Sequence, residues 1–226
     1  MKKLLFIPVL LGLVMYSCSK NDDPIPAEQY AGLGDNGGTP LVTTVNVPSN
    51  IQIVSAYYGG NPEYRQAAPN FNKRDLGQSL TADKSIDADW TPYGTGTYVT
   101  IFVKMLSADG FPHTWDIPGG TIFCDTTGNY QHGFIIQDIH VQIGGTDTTF
   151  AYFNAYCLNL SRSSSDKDAH YILYGKTQNT PLLEVVQLVT GKDLSSATGV
   201  LQSIIWNITE SNGVLTDDDR DQLNAL

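Results

Sequence analysis

The chain has 226 residues, with 13 Lys or Arg against 23 Asp or Glu, for a formal charge of −10. That balance argues against a nucleic-acid binder, which needs a basic face for phosphates, and against a basic patch docking on anionic lipid. The length supports one domain with a sizeable core, and 41% hydrophobic with 10% aromatic residues excludes a disordered acidic tail. With 21 Gly, 11 Pro and 12 Tyr, the composition suits a loop-rich β protein better than a helical bundle.

Lys2 and Lys3 precede a mostly apolar run from Leu4 to Tyr16, and Ser17 and Cys18 follow at once. The run is too short to span a bilayer, which takes about 20 apolar residues, and it has the shape of a secretory signal. Val14-Met15-Tyr16-Ser17-Cys18 resembles the box of bacterial lipoproteins. The resemblance implies that residues 1–17 are a signal peptide and that Cys18 carries the lipid. Ser19-Lys20-Asn21-Asp22-Asp23-Pro24 resembles the acidic export tag of Bacteroidetes surface lipoproteins. That implies an outer-membrane lipoprotein exposed at the cell surface, held to the membrane by its lipid. Residues 18–40 contain Pro24, Pro26, Gly32, Gly34, Gly37, Gly38 and Pro40, and read as a lipidated flexible tether.

The folded domain is expected over 41–226. Leu41–Val47 and Ile51–Tyr58 are rich in β-branched and aromatic residues. Further strands are expected at Tyr98–Met105, Gly120–Cys124, Gly133–Ile143 and Thr148–Leu160, separated by Gly- and Pro-rich turns. The stretch 60–92 shows weak periodicity and reads as a long loop with a short strand or helical turn. From about 181 the period changes to that of helices. Pro181 suits a first turn, and Leu182, Val185, Val186 and Val189 form an apolar stripe ending at Gly191. Val200, Leu201, Ile204, Ile205 and Ile208 repeat the stripe before Gly213. Thr216 is an N-cap for a third helix, opened by Asp217, Asp218 and Asp219 and running to Ala225. The fold class expected is mainly β, an antiparallel sandwich or barrel, with a small C-terminal helical subdomain.

Ala155-Tyr156-Cys157-Leu158-Asn159 and Leu201-Gln202-Ser203-Ile204-Ile205-Trp206 together resemble the paired motifs of thioester domains in bacterial adhesins. The resemblance implies that Cys157 supplies a thiol and Gln202 an amide, condensing into an internal Cys–Gln thioester with Trp206 packed beside it. It further implies covalent adhesion to an amine-bearing surface protein or glycan on a host or neighbouring cell. This is at most a single-turnover acyl transfer rather than an enzyme activity. In that family the residue two after the Cys is often acidic, and here it is Asn159. His170 is a second candidate, as a base near Cys157.

A different reading is open. Setting Cys18 aside, an exported chain with Cys124 and Cys157 at strand ends suits a single disulfide. The protein would then be a non-covalent glycan- or protein-binding module, with Trp90, Trp115 and Trp206 among the candidate ligand platforms. The four histidines His113, His132, His140 and His170 lack metal-ligand spacing, so neither metal nor cofactor is expected.

Overall fold

The computed structural model describes residues 25–54, 57–60, 91–211 and 213–226. In chain order the strands are β1 (Val42–Thr43), β2 (Ile51–Ile53), β3 (Tyr57–Gly59), β4 (Thr91–Tyr93), β5 (Val99–Ser107), β6 (His113–Ile117), β7 (Thr121–Asp125), β8 (Gly133–Phe134), β9 (Ile139–Ile143), β10 (Thr149–Cys157) and β11 (His170–Thr177). Three helices follow: α1 (Thr180–Val189), α2 (Thr198–Glu210) and α3 (Asp217–Ala225).

The two longest strands set the architecture. In the antiparallel β5–β10 ladder, Ala151 faces Val103, Phe153 faces Ile101 and Ala155 faces Val99. Side chains alternate across a pleated strand, so these pairs share one face, and all six are buried. From β5 the sheet runs through β3, β11, β7 and β8 to β10, which pairs back onto β5. The result is a closed, six-stranded antiparallel barrel whose interior holds those residues with Phe123 and Tyr171. Closure removes most of the open edges that a sheet of short strands would expose. β1, β2 and β4 extend the barrel on β11, β5 and β10, and β6–β9 form a separate ribbon packed on the interior cluster.

A second core lies outside the barrel. Ile122, Phe134 and Tyr156 point outward from β7, β8 and β10, and the apolar faces of α1 and α2 cover them. The helix ends are those the sequence signals. Asn179 Oδ1 accepts from Leu182 N–H at 3.0 Å ahead of Pro181. At α3, Thr216 and Asp219 form a reciprocal capping box. The stripes of α1 and α2 are buried as expected except for Val200, which is 39% exposed.

Several expectations are corrected. The segment 18–40 is not a tether throughout, because its described part packs on the fold. Ala27–Tyr30 form a 3-10 turn, Tyr30 and Leu33 are buried, and Tyr30 donates its hydroxyl to Gly213 O at 2.7 Å. Leu41–Val47 yields only the two residues of β1, and Gly133–Ile143 breaks into β8 and β9. β11 was not expected, although it is central to the barrel. Its alternation is interrupted by a bulge between Leu173 and Gly175, where Gly175 adopts φ +150°. Cys18 and Trp90 lie outside the described residues.

Candidate functional site

Beyond Ala155, β10 outruns its partner: Ala155 pairs with Val99, the first residue of β5. On its other side β10 still pairs with β8, where Leu158 N–H donates to His132 O at 3.1 Å. Cys157 therefore turns its main-chain N–H and C=O toward a side where no strand continues. The Gln202 side chain fills that gap. Cys157 N–H donates to Gln202 Oε1 at 2.9 Å, and Gln202 Nε2 donates to Cys157 O at 2.8 Å. A primary amide has the donor and acceptor needed to act as a missing strand. Both residues are buried, at 0% and 1% exposure.

The Cys157 sulfur accepts from Asn159 N–H at 3.3 Å. Burial pushes the thiol up to about 11, against smaller opposing effects from the Trp206 indole, Asn159 N–H and the Arg162 charge; nearby Glu210 adds to the rise. Trp206 Nε1 is buried without a well-aligned hydrogen bond, yet lies close enough to the sulfur to favour a thiolate. At neutral pH the group is a thiol. Gln202 is the fifth residue of α2, past the unpaired amides of the helix start. The donor to its oxygen is instead the main chain of Cys157 itself.

Asn159 secures the site from the other side. Its Oδ1 accepts from His132 N–H at 3.0 Å, and its Nδ2 donates to Gly34 O at 2.8 Å and Gly32 O at 3.3 Å. Gly34 N–H in turn donates to Leu158 O at 2.9 Å. The N-terminal segment is thereby strapped over the end of β10. Gly34 has φ +57°, and a Cβ there would overlap the carbonyl of Thr209 in α2.

His132 is buried beneath this strap. Asp125 N–H donates to its Nδ1 at 3.0 Å, and the Arg162 guanidinium approaches Nε2 at 3.1 Å. Both ring nitrogens face donors, and neither faces an acceptor for an added proton. Burial, reinforced by the Arg162 charge against the weaker pull of Asp125, lowers the His132 pKa to about 4.

The remaining candidates separate from the pair. His170 opens β11, which lies opposite β10 in the six-strand order, and its exposed ring packs edge-on against Tyr58. Trp115 is fully buried between the ribbon and the barrel, edge-on to Phe153, so it is a core residue and not a ligand platform. Trp206 belongs to the site and packs at a tilt against Tyr98, itself 38% exposed, with centroids 5.4 Å apart.

The disulfide between Cys124 and Cys157 is ruled out by register. Gly133 pairs with both Cys157 and Phe123, so Cys157 shares the interior face with Phe123, and the next residue, Cys124, points outward. The two thiols are free, lie on opposite faces and sit two strands apart, about 10 Å, beyond the reach of a bridge. Burial pushes the Cys124 thiol up to about 12.

Glu210 was not assigned to the site from the sequence, and Asn159, His132 and Tyr98 were named there without these roles. Glu210 had a usable signal, since Gln202, Trp206 and Glu210 repeat every fourth residue along one face of α2. The Asn159 contacts reach across more than 120 residues and leave no local pattern. Among the described residues, no group of three or more His, Cys, Asp or Glu is placed to hold a metal ion. No family model, curated protein or solved structure matches the chain.

Proposed function

We propose that the chain is a lipid-anchored surface adhesin that attaches covalently to amine-bearing targets through a thioester between Cys157 and Gln202. The observation that carries this reading is the reciprocal pair of hydrogen bonds holding the Gln202 amide against the residue that owns the thiol.

That geometry supports the following route to the bond. Cys157 Sγ adds to Gln202 Cδ, and the charge that develops on Oε1 stays bonded to Cys157 N–H, an oxyanion donor in place before reaction. The Cδ–Nε2 bond then breaks, the thiol proton goes to the departing nitrogen, and ammonia leaves. A thiol kept protonated by burial supplies that proton itself. Fixed placement and exclusion of water stand in for the encounter that a free thiol and amide would need. An incoming amine later attacks Cδ, the C–S bond breaks, and the thiolate takes up a proton. The product is an amide on Gln202 and a free Cys157 thiol, without turnover. Asn159 N–H, with the Trp206 indole nearby, receives the departing sulfur.

The test is the intact mass of the purified chain, unreduced, with and without methylamine. The expected result is a mass short by one ammonia, followed by gain of one methylamine at Gln202. A chain of full mass, untouched by methylamine, overturns the covalent reading. It would leave Gln202 as a strand-end cap and the protein as a non-covalent binding module without the Cys124–Cys157 bridge.

A further inference from the structure

The N-terminal strap touches both elements that carry the proposed thioester pair. Its buried centre is Gly32, Leu33 and Gly34. Gly34 N–H donates to Leu158 O at 2.9 Å, next to Cys157, and Gly34 fits so closely against α2 that a Cβ would overlap Thr209 O. Ser161 Oγ donates to Asp35, and Tyr30 donates its hydroxyl to Gly213 O just past α2, so the strap is pinned on both sides. Between strap and sulfur stands one residue. Asn159, fully buried, gives its side-chain amide to Gly32 O and Gly34 O and accepts from His132 N–H. Its own main-chain N–H points at Cys157 Sγ, 3.3 Å away. Bonds to two distant segments thus hold the residue whose N–H faces the sulfur.

Resting on the thioester reading, we propose that docking of the strap controls how readily the Cys157 sulfur leaves, with Asn159 as the positioning residue that links the two. A neutral amine attacks Gln202 Cδ, the C–S bond breaks with its electron pair on Sγ, and a proton lost from the nitrogen ends on that sulfur. Until the proton arrives, the sulfur carries negative charge in a buried place, and the Asn159 N–H is a donor already aimed at it. A fixed donor needs no reorganisation as the charge develops. The same N–H works against the rise that burial imposes on the thiol pKa. With Gly32 and Gly34 lifted, Asn159 keeps only its bond to His132 N–H, and the turn after β10 can rotate the donor off the sulfur. The strap is then more than a cover. Docked, it holds the bond in its reactive form; undocked, it leaves a sluggish one.

The experiment follows methylamine uptake by intact mass in the wild-type chain and in Gly34→Ala, which lifts the strap while changing no atom of residues 157–159 or of Gln202. Circular dichroism and a thermal melt establish that the variant is folded. The two roles open to a strap have opposite signs. Lifting a mere cover admits methylamine faster, whereas losing the sulfur's donor slows the reaction. The expected result is uptake about tenfold slower in Gly34→Ala than in wild type, from a variant that still starts short by one ammonia. A rate equal to wild type, or faster, overturns the proposal and leaves the thioester standing. A wild-type chain of full mass overturns both. If Gly34→Ala does not fold or does not form the bond, Asn159→Ala is read in its place. It keeps the main-chain N–H and removes only the side chain that holds it. Uptake should slow by a similar factor, and an unchanged or faster rate overturns the role of Asn159.

Discussion

Acid should loosen this protein at its candidate site before it titrates most carboxylates. His132 is 6% exposed, with donors at both ring nitrogens and a folded pKa near 4, against 6.5 for a free imidazole. The sign follows from which state binds more protons. Above pH 6.5 the ring is neutral in both states and contributes nothing to pH dependence. As pH falls, the unfolded chain protonates first, and stability is lost progressively down to about pH 4. The gap between 6.5 and about 4, at 1.36 kcal/mol per pH unit, comes to roughly 3 kcal/mol. The main chain of His132 holds Asn159 Oδ1 and Leu158 N–H, so the loss is felt where β10 meets the strap. Urea denaturation followed by tryptophan fluorescence, at about pH 7.5 and about pH 4.5, measures it. His132→Gln, which keeps an acceptor for Asp125 N–H and cannot titrate, should remove most of the acid-dependent loss. Equal losses in variant and wild type would refute the argument.

Asn159→Ala leaves His132 N–H and the carbonyls of Gly32 and Gly34 without their partner, and should destabilise by about 3 kcal/mol in the same denaturation assay. Gln202→Ala strips both partners from the Cys157 main chain and should cost about 2–4 kcal/mol; a cost near zero would mean that the amide is not held as described. Gly34→Ala forces a left-handed backbone and an overlap with Thr209, so the strap should lift. Thermal melting should fall by an amount equivalent to about 2 kcal/mol or more, with faster proteolysis within 25–40. Cys124, buried with its thiol near 12, should alkylate only on unfolding, and unreduced intact mass should show no two-hydrogen deficit.

The helices were readable from sequence because their determinants are local. Asn179 and Thr216 cap within three residues, and the stripe Leu182, Val185, Val186 and Val189 repeats with the helix itself. The long strands β5 and β10 were equally plain, since each places alternate residues in the barrel. Short strands with non-local partners were not. β8 has two residues and exists because β7 and β10 flank it, and β11 is disguised by the bulge before Gly175. The packed segment near Tyr30 has the composition of a linker. It is ordered by two buried side chains and by bonds to residues over 120 positions away, which composition does not record.

The site divides along the same line. Cys157 and Gln202 were paired through a motif resemblance, 45 residues apart, and the contact itself depends on β10 running two residues past its last pairing with β5. That mismatch in strand length leaves two main-chain groups unpaired in a buried place, a costly arrangement that a side-chain amide relieves. Choosing between a disulfide and a free thiol, by contrast, required the barrel. Cys124 and Cys157 are both at strand ends, and only the shared Gly133 register reveals that they face opposite ways. Once the sulfur is confined to the interior face, the groups that influence it come from α2 and from the turn after β10. Trp206 and Glu210 then follow from Gln202 by helical repeat alone. The candidate pair is thus positioned by one strand end and one helix face, and a change in either should move the thiol and the amide together.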